Sequence, residues 1–143
     1  MKIENLCICY ASEFHLGIIL MEYFKRNSIK HNEVVTYFED SITDQIKAIK
    51  KRYNTKQLSN INFEKSEIPN KLLLKDEKII IINGSEKYIK SIKNKINELK
   101  DTENLKVISC YNFDQQLKNM NVIIEENEKI ILTNEEISTN LAS

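Results

Sequence analysis

One unit occurs three times in this chain: an apolar run of β type, a short polar break, a serine, and then an amphipathic helical pattern. The copies read LCICYA before Ser12, VVTYFED before Ser41, and IIIING before Ser85. Strands that alternate with helices of this length predict parallel βαβ units, because parallel neighbours need a long crossover and a helix makes one compactly. We therefore predict an α/β fold, a three-layer sandwich around a mostly parallel sheet.

The apolar periodicity also gives approximate bounds for each element. Strands are predicted at residues 4–11, 33–39, 78–83 and 105–111, helices at 13–27, 41–53 and 85–100, a short helix near 113–119, and a C-terminal β-hairpin from 121–125 and 128–133. Between these elements, residues 54–77 hold the only proline and little periodicity, and so long a loop is uncommon in a compact domain. We predict one α/β domain over residues 1–137, with residues 138–143 as a frayed tail.

Charge and cysteine content indicate where the protein acts and which partners it lacks. The 143 residues carry 21 basic and 21 acidic side chains, so no net field attracts nucleic acid or an anionic membrane. The N-terminus lacks the pattern of a signal peptide, and no apolar run reaches the length of a membrane span. Three cysteines without metal-ligand spacing are typical of reduced thiols. We expect a cytoplasmic protein that binds neither nucleic acid nor membrane.

The strand-to-helix turns do not have the composition of a phosphate site. The chain has only two glycines, Gly17 and Gly84, and neither GxxxxGK[ST] nor GxGxxG is present. Each turn serine is followed by an acid in the first helical turn, which complements the helix dipole and would repel a phosphate. We predict that Ser12, Ser41 and Ser85 are helix N-caps, and that Gly84 has a positive φ.

Two further groups of residues are weighed as reactive or metal-binding sites. Cys7 and Cys9 share one face of the first strand, and Cys110 ends the fourth, so a three-thiolate zinc or redox cluster is one interpretation. The other is that all three are small core hydrophobes, which we prefer. His15 has no catalytic partner that the sequence can place. We therefore predict no cofactor, no metal and no catalytic residue.

A candidate ligand site follows from the predicted topology. The strand-to-helix turns of an open parallel sheet emerge at one edge, near the crevice where the strand order reverses. The polar and aromatic side chains expected there are Tyr10, Glu13, Glu39, Asp40, Asn83, Glu86, Tyr111, Asn112 and Asp114. Their acidic and aromatic character suits a cationic or hydroxyl-rich small molecule, or a divalent ion. In the alternative, the acids only cap helices and residues 54–77 fill the crevice.

The sequence also resembles the MEDS family of sensory domains over nearly its whole length. The resemblance is carried by CICYASEFHLGIILMEYFKRN with EVVTYFED, by VISCYNFDQQL, and by MNVIIEENEKIILTNEEI, which resembles the family's closing hairpin with an asparagine, here Asn134, after the last strand. The family's Tyr-Asp pair is replaced by Tyr111-Asn112, with Asp114 displaced. The resemblance implies a RecA-like sandwich that has lost its phosphate loop, whereas the βαβ pattern alone allows a RecA-like or a Rossmann-like sheet.

Family members are sensory or regulatory domains, often joined to a DNA-binding helix-turn-helix or a histidine kinase. We therefore expect a non-catalytic signalling module whose partner is a protein such as a kinase or a transcription regulator. An enzyme that uses the same crevice and an obligate assembly subunit are the alternatives. A homo-oligomer is a further expectation, since basic residues cluster at Lys47, Lys50, Lys51, Arg52 and Lys56, and acidic residues at Glu125, Glu126, Glu128, Glu135 and Glu136.

Overall fold

The fold is an α/β sandwich built on one sheet, as the sequence predicts. A computed structural model describes residues 2–99, 104–113, 123, 126–132 and 135–138. The strands are β1 (Ile3–Tyr10), β2 (Val34–Phe38), β3 (Ile79–Asn83), β4 (Leu105–Asn112), β5 (Lys129–Leu132) and β6 (Glu135–Ser138). The helices are α1 (Glu13–Arg26), α2 (Thr43–Tyr53) and α3 (Glu86–Asn97), with a 3₁₀ turn at His31–Glu33.

The sheet has the strand order β2-β3-β4-β1-β5-β6. Strands β1 to β5 run parallel, and β6 pairs antiparallel with β5. In the Rossmann order β2 lies beside β1, whereas here β4 and β5 flank β1. The strand order therefore differs from the Rossmann one.

Side-chain alternation divides the core between the two faces of the sheet. One apolar cluster joins α1 and α2 to the face that carries Leu6, Ile8 and Cys110. The other joins α3 to the face that carries Cys7 and Cys9. No helix within the described residues is long and apolar enough to cross a membrane.

Residues 54–77 connect α2 to β3 and change face on the way. Leu58 and Phe63 belong to the core of α1 and α2, whereas Leu72 packs with α3. In the sheet β3 lies beside β2 and β4 lies beside β3, so the two connections between these strands move in the same direction. When both connections are right-handed, they lie on the same face of the sheet. Because α2 lies on the other face, the chain needs this long segment to reach the face of α3.

Residues 60–66, which we name the edge strap, lie along the free edge of β2. Lys65 forms a parallel bridge with Phe38, and the Ser66 N–H donates to the Phe38 carbonyl at 2.8 Å. The Thr36 hydroxyl donates to the carbonyl of Asn62, and Phe63 packs edge-on against the ring of Phe38. The strap therefore covers the edge of the sheet.

The predicted C-terminal hairpin is not confirmed. β5 matches its second strand, but β5 pairs with β6, which follows it in the chain. Of the predicted partner 121–125 only Ile123 is described, and its backbone is helical. The predicted helix 113–119 lies outside the described residues except for Phe113. β6 includes Ser138, the first residue of the predicted tail, and the rest of that tail lies outside the described residues.

A polar network fastens β6 to the rest of the sheet. Glu136 accepts hydrogen bonds from the Tyr23 hydroxyl at 2.5 Å, from Lys106 Nζ at 2.8 Å and from Lys129 Nζ at 3.2 Å, and Lys129 also pairs with Glu4 at 2.8 Å. Burial disfavours the Glu136 carboxylate, but these hydrogen bonds outweigh it and lower its pKa to about 2. The network therefore ties α1, β1, β4 and β5 to β6.

Candidate functional site

A small cleft lies at the carboxyl edge of the sheet, where β1, β2 and β3 end. Its volume is about 60 Å³. The described lining residues are Tyr10, Glu13, Glu39, Asp40, Ser41, Ile42, Asn83, Gly84, Ser85 and Asn112. They include three carboxylates and no lysine, arginine or histidine, so the electrostatic potential of the cleft is negative.

The floor of the cleft is a hydrogen bond between two buried side chains. The Tyr10 hydroxyl donates to Asn83 Oδ1 at 2.7 Å, and both residues are at most 4% exposed. The bond passes over the end of β4, because β4 separates β1 from β3 in the sheet. Burial raises the pKa of Tyr10, which keeps its hydroxyl protonated as the donor.

Glu39 contacts the N-terminus of α3, although it follows β2 and α3 follows β3. Its Oε1 accepts the Ser85 N–H at 2.7 Å and its Oε2 accepts the Ser85 hydroxyl at 3.3 Å. Ser85 in turn caps α3 by accepting the Tyr88 N–H, as predicted. A carboxylate of the chain therefore lies where a helix N-terminus would hold a phosphate.

Gly84 is required by this contact and not by its backbone angles. No glycine in the described residues has a positive φ, so the predicted φ of Gly84 is wrong. A Cβ at this position would lie 2.7 Å from Glu39 Cβ and 2.9 Å from Tyr88 Cδ1. The glycine is needed because it lets Glu39 reach the helix N-terminus.

The turn between β1 and α1 is closed by its own side chains. Ser12 caps α1 by accepting the His15 N–H at 3.1 Å, which confirms its predicted role. His15 Nδ1 accepts the Ala11 N–H, also at 3.1 Å. These donors are therefore not available to an anion.

The turn between β2 and α2 is held by the edge strap. The prediction that Ser41 is the N-cap of α2 is wrong, because Ile42 takes that position without a side-chain cap. Ile42 is buried, and its N–H donates to the Phe63 carbonyl at 3.1 Å. Ser41 still accepts the Thr43 N–H at 3.2 Å, and Glu64 accepts the Thr43 hydroxyl at 2.8 Å. A carboxylate of the strap thus lies at this helix start.

The structure brings six of the nine predicted site residues together. Those that line the cleft are Tyr10, Glu13, Glu39, Asp40, Asn83 and Asn112. Tyr111 is buried against α3 on the other face, since its register partner is Cys9. Glu86 is exposed and does not line the cleft. Asp114 lies outside the described residues.

Sequence reasoning missed four lining residues and the role of Glu64. Ser41, Ile42, Gly84 and Ser85 are the lining residues that it did not assign to the site. Three of these were read only as turn or cap residues, although the same turns supplied the predicted site. No pattern in the sequence of the edge strap could have placed Glu64 beside α2.

The cysteines do not form a cluster. All three are buried free thiols, and Cys110 lies on the opposite face of the sheet from Cys7 and Cys9. A hydrogen bond with Cys9 and burial raise the pKa of Cys7, and burial raises that of Cys110. Within the described part of the chain, no three His, Cys, Asp or Glu side chains are arranged to hold a metal ion.

A larger groove of about 720 Å³ lies at the amino edge of the sheet. Its charged lining residues are Lys30, Glu33, Lys75, Asp76, Glu77 and Lys78. Two of these acids are used by the backbone, since Glu33 accepts the Lys30 N–H at 3.0 Å and Glu77 accepts the Lys75 N–H at 2.6 Å. The three bases are exposed and balanced by as many acids, so the groove has no preference for one sign of charge.

Known proteins give no further guide to the site, since no family model, curated protein or solved structure matches this chain.

Proposed function

We propose that this chain is a non-catalytic sensory or regulatory domain that acts in signal transduction through protein contact, with a small ligand at the carboxyl-edge cleft as its signal. One observation carries the proposal. At all three strand-to-helix turns, side chains of the protein accept N–H groups that would otherwise face a phosphate: His15 at the first, Ser41 at the second and Glu39 at the third. A RecA-like sheet that is closed in this way favours regulation over nucleotide hydrolysis.

The charge of the cleft supports the same proposal. Glu13, Glu39 and Asp40 would repel a triphosphate, and no described lining residue offers the lysine that usually contacts its terminal phosphates. An uncharged or cationic ligand meets no such barrier. The resemblance to MEDS sensory domains also agrees with a regulatory role. We further propose a cytoplasmic location, and a kinase or a transcription regulator as the partner.

The alternative of an enzyme has less support. Catalysis of proton transfer or acyl transfer needs a base or nucleophile that is held ready beside the substrate. The described lining residues include no histidine, cysteine or lysine, and the carboxylate of Glu39 is already bonded to Ser85. The two remaining carboxylates, Glu13 and Asp40, are exposed at the rim and no described side chain orients them. We therefore prefer a binding role for the cleft.

The alternative of self-association through opposite charge patches also has less support. Glu136 is engaged in the network that holds β6, and Glu128 accepts the Asn5 N–H at 3.1 Å. Glu125 lies outside the described residues. A different protein is therefore the better candidate partner than a second copy of this chain.

Calorimetry with Mg-ATP and Mg-GTP tests the exclusion of nucleotides. We expect no micromolar affinity and no release of phosphate over hours. The matched variant is His15→Ala, which removes the acceptor from Ala11 while leaving the acids of the cleft in place. If the parent binds either nucleotide with micromolar affinity, the cleft is a nucleotide site, and if it also releases phosphate the domain is an NTPase; either result overturns the proposal.

The positive test concerns the partner. A kinase or transcription regulator that is encoded beside this chain would be purified and mixed with it, and sedimentation velocity should show a complex. The activity of that partner should change when the chain is added. Absence of both effects with every regulator encoded nearby would argue against a signalling role.

A further inference from the structure

The floor of the cleft presents a hydrogen-bond donor that the protein does not use. Asn83 is only 4% exposed, and its Oδ1 is taken by the Tyr10 hydroxyl. With Oδ1 facing the Tyr10 hydroxyl, Nδ2 is the other end of the amide, and it donates to no other described residue. Nδ2 is also not one of the buried atoms that solvent cannot reach, and the cleft is the space that Asn83 lines.

The rim of the cleft carries two carboxylates that the protein does not neutralise. Glu13 and Asp40 are exposed, and neither forms a salt bridge within the described residues. Glu39, the third carboxylate, is held by Ser85 and is not available in the same way. The site therefore pairs one neutral donor at its floor with two unpaired negative charges at its rim.

We infer that the cleft binds a small protonated amine that carries a hydroxyl or carbonyl oxygen. The oxygen accepts from Asn83 Nδ2, and the ammonium group lies between Glu13 and Asp40. A volume of about 60 Å³ admits only a few non-hydrogen atoms, so the ligand is either a small amino alcohol or the head group of a larger molecule. This inference rests on the proposed function and names the class of its ligand.

Ethanolamine is the probe, and ethylammonium, which lacks the oxygen, is its control. In ¹⁵N–¹H spectra of the full chain, ethanolamine should shift the side-chain amide of Asn83 and the backbone amides of Gly84 and Ser85 in a saturable way. One hydrogen bond of ordinary strength makes ethylammonium roughly fivefold weaker. The inference would be overturned if these shifts were absent at an ethanolamine concentration of about 50 mM, or if they occurred elsewhere in the chain.

Two variants separate the floor from the rim. Asn83→Asp keeps an acceptor for Tyr10 but replaces the donor, so it should remove the preference for ethanolamine over ethylammonium. Asp40→Asn should weaken both amines severalfold, whereas Asp44→Asn, an exposed acid of the α2 first turn outside the cleft, should leave both unchanged. Equal effects of the Asp40 and Asp44 variants would show mere screening of surface charge and would contradict a built site.

If Asn83→Asp does not fold, the comparison of the two amines on the parent chain and on Asp40→Asn still decides the inference. Its failure also differs from failure of the proposed function. Loss of ethanolamine binding without nucleotide binding would leave a domain that acts through protein contact alone, whereas nucleotide hydrolysis would remove the regulatory proposal itself.

Discussion

The hydroxyl of Tyr10 and the side-chain amide of Asn83 are joined by a 2.7 Å hydrogen bond that passes over the end of β4. The two residues are 73 positions apart in the sequence and belong to strands that are not neighbours in the sheet. The bond thus fixes the relative position of the turns that begin α1 and α3. Both turns contribute walls to the carboxyl-edge cleft.

Tyr10→Phe tests this bond. Loss of the hydroxyl leaves Asn83 Oδ1 without a partner in a buried position, which should lower the free energy of unfolding by roughly 1–3 kcal/mol. Tyr37→Phe is the matched control, because Tyr37 is only half-buried and donates to no described residue. Urea unfolding of both variants measures the difference. Equal stability of the two would show that Tyr10 contributes by packing alone.

Glu136→Gln should destabilise the protein in a pH-dependent way. The pKa of Glu136 in the folded state is about 2, below its ordinary value of 4.5, so its contribution is complete above pH 4.5 and is lost as pH falls towards 2. At neutral pH the loss is of order 3 kcal/mol at most.

Urea unfolding of parent and variant at several pH values checks this prediction. The difference between them should be largest at neutral pH and should shrink between pH 4.5 and pH 2. Glu98→Gln, at an exposed position beyond α3, is the control. A difference that is constant with pH would mean that the charge of Glu136 does not matter.

Gly17→Ala should destabilise α1, although alanine normally favours a helix by about 0.5–1 kcal/mol. A Cβ at Gly17 would collide with Cδ1 of Ile49 and lie 3.1 Å from Cδ1 of Ile46. The close packing is against α2, and not against the sheet. We expect a loss of roughly 1–3 kcal/mol, as for other overpacked cores.

Ile49→Val provides the test, since it removes the Cδ1 methyl with which the new Cβ collides. The double variant should lose less stability than the two single variants together, and thermal or urea unfolding of all four proteins gives the coupling. Strict additivity would place the strain of Gly17→Ala somewhere other than at Ile49.

The three thiols should be protected in the native protein. The pKa values of Cys7 and Cys110 are raised, whereas a hydrogen bond with Cys7 lowers the pKa of Cys9. All three thiols are nevertheless buried, so little thiolate is accessible to a reagent. Ellman's reagent should react slowly with the folded chain and quickly with all three thiols in urea. A thiol that reacts at the rate of free cysteine without denaturant would reveal local opening of β1 or β4.

Much of the site could be predicted because the carboxyl ends of parallel strands meet at one edge whatever their order. That rule alone brought Tyr10, Glu39 and Asn83 together. It does not give the register, and so it could not show that Tyr111 faces α3 while its neighbour Asn112 faces the cleft.

The start of α2 was misplaced for a different reason. Local propensity favours Ser41 as the cap, but the contact that decides is the bond from the Ile42 N–H to Phe63, which comes from a segment without periodicity. The same segment appeared as an unexplained loop, because the need to change face depends on strand order, which local pattern does not contain.

The edge strap limits how this sheet can grow. Lys65 and Ser66 already occupy the outer edge of β2, so among the strands that the structure describes β6 is the edge left for another chain. Two copies that pair there through the same strand would each use that edge, and such a pair is closed by its twofold symmetry. The edge strap thus disfavours open-ended growth of the sheet from the β2 side.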